Sequence, residues 1–270
     1  MTTPSEPRTP RLYHVPRAAA FPPIDALGGT ALAMTAFILA SGTVAAATGE
    51  AGLVAIAAGE LMFLLVPVLM MLGTRRPPVV LGLTRPARLD VLAAVLVGSS
   101  LWYINLWLVA LLQLPTTSVQ PLQQLVEAPS LPVALLFIAV VPAICEELTF
   151  RGLLARSLAT RLSPVWAIGI QAAVFSAYHL SVAQLIPTFV LGFVLGALAL
   201  RAGSTVPAMI GHLVNNTVAL LIAREDLAGV SEWVDDYPVG ALGIAIPLAA
   251  AGIALIVRGP APGARSNVRT

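Results

Sequence analysis

Eight stretches of roughly 20 predominantly apolar residues recur along this 270-residue chain, and their recurrence restricts its fold more than any other feature. They run near 26–48, 51–73, 90–113, 131–150, 164–182, 184–201, 205–223 and 239–257. A helix of about 20 residues rises about 30 Å, the thickness of a bilayer's hydrocarbon core. In lipid every backbone N–H and C=O needs an internal partner, which an α-helix supplies within one segment. The expected fold class is therefore all-α, a polytopic membrane helix bundle of about eight transmembrane helices. Charge scarcity agrees: 10% of residues are charged and 58% hydrophobic, whereas a soluble domain carries about 25% charge. The lipid bilayer is then the main solvent, and the cell membrane the expected location.

Arginine placement orients the bundle. All fifteen basic residues are arginine. Arg8, Arg11 and Arg17 precede the first span, and Arg75, Arg76, Arg85 and Arg88 separate the second from the third. Arg151, Arg156 and Arg161 follow the fourth, Arg201 the sixth, and Arg258, Arg265 and Arg269 the eighth. Only Arg224 falls in an odd-side loop, among Glu225, Asp226, Glu232, Asp235 and Asp236. The positive-inside rule places both termini in the cytoplasm. Residues 1–23 and 258–270, rich in Pro, Arg and Ser, read as disordered cytoplasmic tails around a membrane domain at 24–257. The first span outruns the 7–15 apolar residues of a signal peptide and reads as a retained helix. No basic patch fits nucleic acid, and a lone cysteine excludes a disulfide framework.

Ionisable side chains inside a span cost roughly 2.5–3.5 kcal/mol each. This chain places several in three consecutive neighbourhoods: Glu146, Glu147 and Arg151; Phe175 through His179; and His212 with Asn215 and Asn216. On a helix Glu147 and Arg151 share a face, whereas Glu146 is rotated about 100° from Glu147. Glu146 is thus free to face a cavity while Glu147 is paired. His212 and Asn216 also share a face, and Phe175 lies one turn from His179. Counted along helices from the arginine side, Glu146 lies about 15 Å deep, His179 about 20 Å and His212 about 12 Å. These depths coincide only if the fourth helix runs past Arg151 toward Arg156, burying Arg151. A carboxylate and an imidazole aimed at one water can create a nucleophile. An imidazole and an asparagine amide can donate to the oxyanion that follows. Such hydrolysis needs a polar cavity, expected to open to the cytoplasm.

Glu146-Glu147-x-x-x-Arg151, Phe175-x-x-x-His179 and His212-x-x-x-Asn216, each on its own span, resemble the motifs of the CAAX-processing and bacteriocin-processing (CPBP, or ABI) family, which includes the type II CAAX prenyl endopeptidases. The resemblance covers about 130–225, the expected catalytic core. It implies an intramembrane endopeptidase that hydrolyses a membrane-embedded or lipidated polypeptide, CAAX-type substrates included. In that reading Glu146 and His179 activate water, His212 and Asn216 stabilise the oxyanion, and Glu147 and Arg151 support them. The resemblance admits both a metalloprotease and a metal-free glutamate mechanism. The sequence requires no cofactor, yet two glutamates and two histidines are a potential zinc donor set. The His-Glu-x-x-His signature is absent.

Plainer readings stand beside these. Glu147 and Arg151 also suit a structural ion pair, and the whole cluster suits a non-catalytic binding or immunity protein, or a small proton-coupled transporter with a relay strung along a path. Glu60 in the second span reads as a bundle residue or a substrate contact. Cys145 reads as apolar filler, and Gly98-Ser99-Ser100 as a faint rhomboid-like site lacking a histidine of its own. Gly192-x-x-x-Gly196 is a close-packing face. Trp102, Tyr103 and Trp107 read as interface or packing residues, and His14 as a solvated tail residue.

Overall fold

Each long apolar stretch forms a helix in the computed structural model, which describes residues 15–49, 52–75, 77–114, 126–227 and 229–258. In chain order these are α1 (Pro23–Thr48), α2 (Leu53–Leu72), the single turn α3 (Pro77–Val80), α4 (Arg88–Leu111) and α5 (Leu131–Leu158). There follow α6 (Pro164–Tyr178), α7 (Val182–Ala202), α8 (Val206–Ala223), the short α9 (Val230–Asp236) and α10 (Pro238–Arg258). No strand occurs among the described residues. Seven of these helices are long and apolar enough to cross a membrane. The remaining apolar helix, α6, has 15 residues and rises about 22 Å, short of a core of about 30 Å.

Two expectations change at the ends. Helix α5 continues to Leu158 rather than stopping at 150, so Arg151 lies within it and is fully buried. Of the expected tail 1–23, residues 15–23 are described and packed: Val15, Ala20 and Phe21 are buried, and Arg156 Nη2 donates to Ala19 O at 3.0 Å. Residues 1–14 and 259–270, with His14 and most of the expected tails, lie outside the described residues.

Helix α4 is a hub that packs against α7, α8 and α10, while α1 pairs with α2 and α6 with α7. Small residues permit the closest crossings. A Cβ on Gly98 of α4 would collide with Gly211 O of α8, and one on Gly252 of α10 would meet Val97 Cγ1 at 2.6 Å. Gly192 and Gly196 bring α7 onto α6, where Gln171 Nε2 donates to Gly192 O at 2.8 Å. The tryptophan and tyrosine cluster is packing: Tyr103 is buried beside Val234 and Ala241, its hydroxyl donating to Pro238 O at 2.9 Å.

Polar side chains stitch the arginine-bearing end shut. Thr205 Oγ1 donates to Leu81 O at 2.7 Å, Ser204 Oγ to Thr84 O at 2.6 Å, and Arg156 reaches Ala19 O, Val79 O and Gly203 O. Because the α4–α8 crossing leaves no room for a methyl group, Gly98→Ala is expected to cost about 1–3 kcal/mol. Gly28→Ala, with open space around it, is the matched control. Thermal unfolding in detergent reads the difference, with the midpoint lowered for the first and unchanged or raised for the second.

Candidate active site

Helix α5 carries the two glutamates on a regular stretch, Val141–Glu147, between two segments wound with the wider i→i+5 turn, Leu135–Val140 and Leu148–Ala155. Such turns disturb the i→i−4 ladder and frequently mark functional sites. Proline contributes locally. Pro142 has no N–H to offer Ile138 O, and Asn216 Nδ2 of α8 donates to that carbonyl at 3.0 Å. A side chain expected to serve an oxyanion therefore also ties α8 to α5.

Glu147 is fully buried, and its Oε1 accepts two hydrogen bonds, from Arg151 Nη1 at 2.6 Å and from His212 Nδ1 at 2.9 Å. The Arg151 guanidinium also stacks over the Phe175 ring, 4.3 Å from its centroid. The carboxylate fixes the His212 tautomer: Nδ1 carries the proton it donates, and the Nε2 lone pair points elsewhere. It points toward Glu146, 3.8 Å from Oε2. Neither Glu147 nor Arg151 lines the cavity; they stand behind His212.

Glu146 is buried at 4% exposure. Its Oε1 accepts a short hydrogen bond from the Tyr178 hydroxyl, whereas Oε2 has no partner among the described residues. Glu60 of α2, 2% exposed, brings its carboxyl to the Glu146 carboxyl and the Tyr178 hydroxyl. His179 caps the end of α6, with Nδ1 at 2.9 Å from Phe175 O, a carbonyl that can only accept. Its Nε2 is then the unprotonated nitrogen of the neutral ring. The expected approach of Phe175 to His179 is present, with ring centroids 5.0 Å apart. Tyr178 lies closer still, at 4.4 Å, and so links His179 to Glu146.

One cavity of about 630 Å³ gathers Glu146, His179, His212 and Asn216, together with Glu60, Tyr178, Asn105 and Asn215. Apart from the Glu146–His212 floor near mid-depth, its lining lies toward the ends marked by Leu53, Val126, Leu180 and Ala223. This reverses the expectation that the cavity opens at the arginine-bearing end. The cause is visible in the helices. The arginine-bearing end is closed by Arg156, Ser204 and Thr205, while α6 ends at Tyr178 and the turn to Val182 lines the cavity at the other. Irregular backbone at membrane depth is tolerated where it lines a water-filled space. Within that turn Leu180 adopts φ +51°, a left-handed conformation rare for a side chain of its size.

Tyr178 and Asn105 also line the site. Tyr178 stands inside the quoted Phe175-to-His179 motif, yet no spacing rule marks a tyrosine as the donor to a carboxylate on another helix. Cys145 is a buried thiol outside the cavity lining. A zinc site needs at least three protein ligands around one point. Among the described residues no three His, Cys, Asp or Glu side chains are so arranged, and Glu147 is committed to Arg151 and His212.

Fold and site together define a multi-pass helical membrane protein with an acid–imidazole cluster around an internal cavity. Residues 128–218, which hold all three motifs, match the family model of the Rce1-like proteins, the type II CAAX prenyl endopeptidase Rce1-like group. That match supports the resemblance of this segment to the CAAX-protease and bacteriocin-processing family, whose type II CAAX members are intramembrane endopeptidases. No curated protein and no solved structure matches it.

Stripping Glu147 of its charge leaves Arg151 buried and unpaired, a loss of about 3–5 kcal/mol. Glu147→Gln is therefore expected to lower the unfolding midpoint sharply. Tyr178→Phe keeps the ring packing and removes only the bond to Glu146. A charged hydrogen bond contributes about 1.5–3 kcal/mol, so peptidase kcat/KM should fall about 10–100-fold with an unchanged circular dichroism spectrum.

Proposed function

We propose that the chain hydrolyses a peptide bond of a membrane-associated polypeptide, prenylated CAAX-type substrates included, with water activated at Glu146. The observation that carries this reading is the unpartnered Glu146 Oε2, buried in the cavity 3.8 Å from His212 Nε2. A single water at about 2.8 Å from each acceptor donates both protons to them and turns its lone pairs outward. His212 is aimed by Glu147, and Glu147 is held by Arg151, so three groups orient one water.

A scissile carbonyl entering the cavity meets that lone pair. The water oxygen bonds to the carbonyl carbon as its proton passes to Glu146 Oε2. The second amide proton of Asn216, the first being given to Ile138 O, is available to the developing oxyanion. Collapse breaks the carbon–nitrogen bond, and Glu146 returns its proton to the departing amine. This reading moves His212 from the oxyanion to the water. His179 Nε2 faces the cavity as a second base beside Tyr178.

Gathering these groups around one cavity favours hydrolysis over a transport relay, which needs them spaced along a route. Cleavage of membrane peptides by the purified full chain tests the proposal. Glu146→Gln is expected to lower kcat about 10²–10⁴-fold, the usual size of general acid–base catalysis, and a chelator to leave wild-type turnover unchanged. Undiminished turnover in Glu146→Gln removes the base. Wild-type binding without cleavage points instead to a binding or immunity protein.

A further inference from the structure

Two asymmetries of the bundle coincide. The first is charge. At the end formed by the start of α1, the α2–α4 connection, the α5–α6 turn, the α7–α8 turn and the close of α10 lie Arg17, Arg75, Arg85, Arg88, Arg161, Arg201 and Arg258. The opposite end carries Glu127, Glu225, Asp226, Glu232, Asp235 and Asp236, and its one described arginine is engaged. Arg224 Nε donates to Asp226 at 2.7 Å, and its Nη1 reaches the carbonyl oxygens of Val126 and Pro129. Arginine-rich connections stay in the cytoplasm.

The second asymmetry is access. The catalytic cavity descends from the acidic end to Glu146 and His212 and is plugged beyond them by Leu81, Arg156 and Thr205, each buried. At its mouth Leu180 is 82% exposed, and Phe37, Leu53, Ile56 and Phe137 form an apolar wall. That wall suits an extended apolar segment, and the polar groups at the floor suit its amide bonds.

We infer that substrate reaches this site from the non-cytoplasmic face of the membrane, and that it is an apolar, membrane-anchored stretch of an exported polypeptide. The inference rests on the peptidase reading of the same cavity and narrows its substrate class. A lipidated carboxyl terminus displayed in the cytoplasm would meet the sealed end.

Single cysteines introduced as Leu180→Cys and Ala223→Cys at the mouth, and Arg161→Cys at the sealed end, decide the face. The wild type, whose only thiol, Cys145, is buried, supplies the background. A membrane-impermeant maleimide is applied to right-side-out and inside-out vesicles containing the full chain. The mouth variants are expected to label only in right-side-out vesicles and Arg161→Cys only in inside-out ones. An impermeant fluorogenic peptide with an apolar core should be cleaved by right-side-out vesicles alone, and by both kinds once detergent opens them. Labelling of both mouth variants only in inside-out vesicles overturns the inference, as does cleavage confined to those vesicles. If labelling follows expectation and no peptide is cleaved even in detergent, the access face stands and the peptidase reading falls.

Discussion

A fully buried carboxylate oxygen that accepts from a guanidinium and an imidazole at once governs this molecule. Glu147 Oε1 joins Arg151, one turn along α5, to His212 on α8. Isolated, either charge would be prohibitively costly at this depth. Together they neutralise one another, and the imidazole donates to the same carboxylate oxygen. The orientation of the reactive nitrogen follows, because His212 Nε2 can face Glu146 only while Nδ1 is held behind. Charge pairing thus does directional work as well as stabilising, which is the better-attested use of buried ions.

Around that knot, irregularities in the helices set position and depth. Pro142 removes an N–H from α5, and Asn216 takes the carbonyl left over, so the register of α5 against α8 is fixed one turn from Glu146. The wide turns on either side of Val141–Glu147 let both glutamates sit on a short regular stretch. Helix α6, at 15 residues, delivers His179 at its tip, beside the exposed Leu180, instead of midway along a span.

Much of this was legible from residue types and spacing. Lipid solvation, the all-helical fold and the pairing of Glu147 with Arg151 follow from hydropathy and the four-residue period, and the same spacing required α5 to continue past Arg151. The partners Tyr178 and Glu60 were not legible, because contacts between α2, α5 and α6 depend on tertiary packing that no single-helix period encodes. The 3.8 Å approach of His212 Nε2 to Glu146 Oε2 was not legible for the same reason. Sequence supplies depth along each helix, whereas His212 reaches Glu146 through the Glu147 bond across two helices. The direction of the cavity was misjudged because hydropathy marks α6 as 164–182 and conceals its early end at Tyr178.

Arginine does two jobs in this chain, and they reinforce one another. Exposed on one side, it favours retention of that side in the cytoplasm. Buried as Arg156, with its guanidinium spent on carbonyl oxygens of the N-terminal segment, the Val79 turn and Gly203, it closes the same side against water. Orientation and closure therefore share a residue type and an end of the bundle, and a hydrolytic cavity must drain the other way. On the proposed peptidase reading, a site so built leaves the arginine-bearing seal intact while water and polypeptide enter from the other face, as a membrane that sustains an ion gradient requires of a hydrolytic site at mid-depth.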